Sequence, residues 1–276
     1  MSKIIKTAVL ASTVVFGAVA SMSTQAHPRW ILPSHFTVSK QGGDWLTFDV
    51  TASNGTFVFD KPASAEATYV LLPDGVKKRP DAVFKGKRRS VLDYYFEQEG
   101  THKVAFVSGP DYYTSYKAGE SDELMWVKAS KAERSSVLPK QAKDVETKLF
   151  SNRVETYITL GKPTEKAFTI EGKFLELKPV THPSDIVEGE PVTFQFFYEG
   201  EPQQGVKAEI TRDGTLYRNQ PNEINVISDA KGEVTFTPQQ AGRYLMKASY
   251  QGKLKDATLA DFGSASLNLT FETQLN

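Results

Sequence analysis

In a chain without cysteine, four histidines are the strongest candidate metal ligands. The first, His27, follows a stretch with the form of a secretory leader. Lys3 and Lys6 make a positive head, Thr7 to Ala20 is uncharged and apolar, and Ser21-Met22-Ser23-Thr24-Gln25-Ala26 is small and polar. Cleavage after Ala26 frees the α-amine of His27 beside its own imidazole. Two neutral nitrogens on one residue form a chelate that suits copper, nickel or zinc. Ala18-Val19-Ala20 also satisfies the small-x-small rule, and cleavage after Ala20 leaves a tail in front of His27 and no amine ligand. Cleavage after Ala26 is the expected event, because Trp30-Ile31-Leu32 opens a strand almost at once.

His35 is the second candidate metal ligand. It lies eight residues after His27, an even spacing that puts both on one face of a continuous strand. Extended residues that far apart are separated by roughly 26 Å, so joint ligation requires the chain to fold back. His102 opens a strand and reads as a sheet residue, and His182 sits in the loop Thr181-His182-Pro183-Ser184-Asp185. Asp49, Asp60, Asp93 and Asp111 could complete a nitrogen/oxygen site, but spacing does not rank them. Asp111-Tyr112-Tyr113-Thr114-Ser115-Tyr116 suits either a ligand surface or packing at a junction. Lys77-Lys78-Arg79 and Lys85-Gly86-Lys87-Arg88-Arg89 fit an anionic lipid face or, with Pro80 and Gly86 as turn residues, a solvated hairpin.

The elements that must position these residues are mostly strands. Trp45 to Val50, Ala67 to Leu72, Ser90 to Phe96 and His102 to Val107 are short apolar or alternating runs separated by turn residues such as Pro73-Asp74-Gly75. A second set follows from Phe174 onwards. The expected fold class is mainly β, with two β-sandwich domains, the second immunoglobulin-like or transthyretin-like, joined by a partly helical linker. The expected boundaries are a signal peptide over 1–26, a first sandwich over 27–114, a linker over 115–165 and a second sandwich over 166–276. Within the linker, Ala129 to Lys148 carries helix formers interrupted by Pro139, and a strand runs from Val154 to Leu160.

Composition excludes several classes. Loss of Lys3 and Lys6 lowers 33 positive charges to 31 against 33 negative, a balance that argues against nucleic-acid binding. No apolar run after the leader is long enough to span a bilayer. Without cysteine there is no disulfide, no thiolate metal site and no cysteine nucleophile. No serine elbow and no glycine-rich phosphate loop appears, so no enzyme is expected.

Three stretches carry a family resemblance: His27-Pro28-Arg29-Trp30-Ile31-Leu32-Pro33-Ser34, then Phe174 to Pro179 with Gly189-Glu190-Pro191-Val192 and Gly200-Glu201-Pro202, then Ser228 to Val234 with Gly242-Arg243-Tyr244-Leu245. In this order they resemble the exported bacterial family called domain of unknown function 4198, whose members are often labelled periplasmic components of cobalt or nickel transport systems. The resemblance implies two β domains and a role near metal uptake. His27, Trp30, Pro33 and Ser34 match the family pattern, whereas Pro28 departs from it. Proline has no backbone N–H, so a square-planar site recruiting the second amide is barred, while an amine–imidazole chelate is not.

These readings converge on a periplasmic accessory protein that binds a transition-metal ion or metal complex for a membrane transporter or outer-membrane receptor. Nickel, cobalt, copper, zinc and iron all fit nitrogen/oxygen ligation. Two alternatives are a metal-free adhesion or assembly module, and a copper oxidase or oxygenase with an N-terminal histidine brace. The last requires a second histidine beside the first.

Overall fold

The computed structural model describes residues 27–40 and 42–276. The expected leader and both candidate cleavage positions lie outside the described residues. The chain is mainly β, and its strands form sheets of five, ten and four strands.

Alternation sets the faces. Ser90–Phe96 and Val192–Tyr198 bury every second side chain, as strands with one face on a core must. In the first sandwich the five-stranded sheet, with Arg29–Pro33, Asp44–Ala52 and Ser90–Phe96 side by side, packs on one half of the ten-stranded sheet. Phe48, Leu92 and Phe96 meet Val104, Val154 and Ile158 there. In the second, the four-stranded sheet around Val192–Tyr198 packs on the other half, and Phe194 and Phe196 meet Met246, Leu269 and Phe271.

The segment read as a linker turns out to be central. The helix-forming stretch gives only a four-residue helix, Arg134–Val137. The strand expected over seven residues extends to 19, Ala142–Leu160. It pairs antiparallel with Gly100–Ala118 on one side and parallel with Phe262–Thr273 on the other. Both sandwiches therefore share one continuous sheet. Asp261 anchors the overlap, accepting from the Thr147 backbone N–H at 2.8 Å and pairing with Lys131 at 2.9 Å and Arg134 at 3.3 Å. Helix propensity in residues 142–148 yields to backbone pairing with the neighbouring strands.

Strand Arg29–Pro33 is enclosed on both faces. Ile31 enters the first core, whereas Trp30 and Leu32 join Phe36, Phe57 and Leu245 in a separate apolar cluster. The Thr270 hydroxyl donates to the Ile31 carbonyl at 2.6 Å, a bond between residues at opposite ends of the chain. This clamp fixes where the residues preceding the strand emerge.

Candidate functional site

His27 lies just beyond the paired part of that strand. The Ser53 N–H donates to the Pro28 carbonyl at 3.0 Å, and Arg29 faces Ala52. Residues 53–60 loop away, and Lys61–Pro62 returns to pair with the same end of Asp44–Ala52. This return places Asp60 and Lys61 beside His27. The imidazole Nε2 lies 4.0 Å from Asp60 Oδ2 and 3.4 Å from Lys61 Nζ. The His27 and Asp60 side chains are 36% and 40% exposed, open enough for a hydrated ion to arrive.

The spacing can be compared with a metal bridge. Metal–nitrogen and metal–carboxylate bonds of about 2.1 Å each span at most ~4.2 Å, and about 3.4 Å at a tetrahedral angle. The 4.0 Å separation falls inside the outer limit, and a shift of about half an ångström gives the tetrahedral value. Lys61 opposes this use: its ammonium reaches the same nitrogen and must leave before an ion binds. Among the described residues, no group of three or more His, Asp or Glu side chains gathers as a metal site. A further donor at His27 would have to come from elsewhere.

The other carboxylates considered are engaged. Asp49 pairs with Arg89 at 3.1 Å; burial pushes its pKa up, against the pull of Arg89 and Arg243. Asp93 accepts from the Thr47 hydroxyl at 2.6 Å, and Asp111 pairs with Lys128 at 2.7 Å. Asp60 is the one beside a histidine.

The structure does not bring His35 to His27. Ser34 N–H donates to Thr47 O, while Ser53 N–H donates to Pro28 O, so the strand between them stays extended. Those partner residues are six apart, roughly 20 Å along the strand, which is too far for one ion. His35 is exposed, with its Nδ1 3.2 Å from Ser34 Oγ.

The remaining histidines serve the fold. His102 is fully buried, edge-on to Phe96 at 4.9 Å, and neither ring nitrogen finds a hydrogen-bond partner. Burial pushes its pKa down to about 4, despite weak opposing effects from the Gly100 and Ile158 backbone. It borders a cavity of about 200 Å³ shared with Asp74, Tyr94 and Glu97. His182 accepts from the Ser184 N–H at 3.1 Å, and its Nε2 lies 3.0 Å from Thr101 Oγ1; burial lowers its pKa too. His102 is buried against Phe96, which faces Asp44 at the far end of the strand whose Ala52 lies opposite Arg29, and His182 is held by Ser184 and Thr101, so neither supplies the second imidazole that a histidine brace at His27 requires.

The tyrosine-rich run lies in the long strand Gly100–Ala118, where Tyr113 packs edge-on to Phe150 at 5.7 Å. The basic run closes a tight hairpin, in which the Gly86 N–H donates to the Arg89 carbonyl at 2.9 Å. Two features had no sequence signal: a cleft between Phe57, Phe59 and residues 213–217, and a buried ionic cluster around Arg153.

No curated protein matches the chain. Among solved structures it is similar to the D0-D1 domain of Intimin, at 12% identity over 88% of this chain and 97% of that one, with a TM-score of 0.20. It is also similar to the Yersinia pseudotuberculosis adhesin InvE, at 11% identity over 88% of this chain and 58% of that one, with a TM-score of 0.23. These likenesses are too distant to transfer a function. A family model does match residues 24–252, most of the chain, and the protein belongs to that family, described as Domain of unknown function (DUF4198).

Proposed function

We propose that this is an exported protein that captures a divalent transition-metal ion at a processed N terminus and passes it to a membrane transporter or outer-membrane receptor. The ligands in this reading are the α-amine and imidazole of His27 and the carboxylate of Asp60. The single observation that supports it is the 4.0 Å approach of Asp60 to His27. The metal is cargo: an open, three-donor site with water completing the shell favours release as well as capture. The ammonium of Lys61 can reoccupy the imidazole nitrogen as the ion leaves.

The test is calorimetric titration of nickel, cobalt, copper and zinc into a chain beginning at His27, beside one beginning at Ser21. We expect one ion per chain for the first. Binding should be at least roughly tenfold weaker in His27→Ala and in the extended chain. Equal affinity across all three proteins overturns the assignment, as does failure of the His27-initiated chain to bind any of the four ions.

A further inference from the structure

A second site lies beside the first. The loop over residues 56–59 and Arg88–Arg89 of the hairpin form one wall of a cleft of about 690 Å³; Asp213, Gly214 and the turn Thr215–Tyr217 form the other. That volume is within the range of small-molecule sites, and its position between two sandwiches is a common one for them.

Both walls are held rigidly. Phe57 adopts a left-handed backbone at φ 57°, uncommon for an aromatic residue, and packs edge-on to Trp30 at 5.4 Å; Phe59 lies 5.8 Å from the same indole. On the opposite side Gly214 takes φ 84° to start the turn. The Arg218 guanidinium ties it down, donating to the carbonyls of Asp213 and Arg212 at 2.6 Å each and to that of Pro221 at 2.8 Å. This fixed turn holds Leu216 and Tyr217 out at 69% and 89% exposure, apolar surface that a ligand could cover and remove from water.

Charge selects the occupant. Arg88 spends Nε and Nη2 on the Phe59 carbonyl at 3.1 and 2.7 Å, and among the described residues its Nη1 has no protein partner. The Arg89 guanidinium sits 4.5 Å over the Phe59 ring. Asp49 pairs with Arg89 at 3.1 Å, so Arg88 is the guanidinium of this wall with no carboxylate partner among the described residues; across the cleft, Asp213 already accepts from the Gly214 N–H. An apolar-walled slot with one guanidinium N–H edge left open, at Arg88 Nη1, fits a ligand with a flat apolar body and a carboxylate.

We propose that this cleft binds a small planar organic carboxylate, and that, where the His27 reading holds, the ligand is the chelator part of a metal complex. The physical link is Phe59, which lines the cleft and precedes Asp60 in the chain. Binding of the metal-free anion depends only on the cleft.

Dipicolinate, a planar aromatic dicarboxylate that chelates nickel and cobalt, is the probe, with pyridine as the uncharged control. Each is titrated into the chain beginning at His27, with dipicolinate also given as its nickel complex. Free dipicolinate should bind and pyridine should not. The Leu216→Ser/Tyr217→Ala double variant alters only exposed side chains and should weaken dipicolinate binding roughly tenfold or more. Arg88→Gln should weaken it comparably, and a thermal melt of that variant identifies any loss of fold. His27→Ala should leave the free anion's affinity unchanged and remove the extra affinity of the nickel complex. No binding of dipicolinate at millimolar concentration overturns the cleft assignment, as does equal binding by the Leu216/Tyr217 variant. If free dipicolinate behaves as expected while His27→Ala changes nothing with nickel, the cleft stands and the metal reading falls.

Discussion

The guanidinium of Arg153 lies 3.6 Å from the carboxylate of Glu176, and both side chains are almost wholly buried. Arg153 belongs to the strand shared by the two sandwiches, whereas Glu176 opens the second one. Glu176 also accepts the backbone N–H groups of Glu171, Gly172 and Lys173 at 2.8, 2.7 and 3.0 Å. Buried Glu155 lies 3.8 Å from the same guanidinium and accepts from the Tyr157 hydroxyl at 3.1 Å. Burial works against the charge on Arg153, but Glu155, Tyr69, Glu176 and Glu171 hold its pKa above the ordinary value. These charges form a polar seam between two apolar cores.

Arg153→Met should therefore be costly, because it leaves Glu155 and Glu176 buried without their cation. We expect a loss of about 3–5 kcal/mol in urea unfolding. Adding Glu155→Gln should recover part of the loss. A single-variant cost below about 1 kcal/mol would mean that water already screens the cluster.

His102 makes stability depend on pH. Its pKa is about 4 when folded, against roughly 6.5 in an unfolded chain. Between those values the unfolded state binds a proton that the folded state refuses, so stability falls as pH drops from 6.5 towards 4. The contribution is at most about 3 kcal/mol. His102→Leu should flatten the stability profile across that window in urea unfolding at a series of pH values. An unchanged slope would show that the ring is hydrated or protonated in the fold.

The two neighbours of His27 should act in opposite directions on metal affinity. Asp60→Asn removes an anionic oxygen donor and should weaken binding roughly tenfold or more. Lys61→Ala removes a competing ammonium and should tighten binding by up to about fivefold, the range of an exposed charge interaction. Calorimetry on both variants checks this, and a common direction of change would rule out the arrangement.

His35 provides the control. It is exposed and stands at the far end of the strand from His27. His35→Ala should leave metal affinity unchanged and alter stability by less than about 0.5 kcal/mol. A loss of metal binding in this variant would place the site at the other end of the strand.

Local pattern alone determined the mainly β character, because period-two burial and turn residues are properties of a few neighbouring residues, as in Ser90–Phe96 and Val192–Tyr198. The position of His27 directly before a buried strand was legible for the same reason. Residues 115–165 were less so. Their composition favours helix locally, whereas Ala142–Leu160 is drawn into a strand by partners at 100–118 and 262–270.

Only the tertiary structure decided which carboxylate stands at His27, that His35 does not, and that Arg153 and Glu176 meet. Each depends on register between segments distant in sequence, and register follows from burying whole sheet faces together. The cleft has the same origin. Phe59 and Tyr217 become opposite walls of one site because the two sandwiches share a sheet, a relation that no local spacing records.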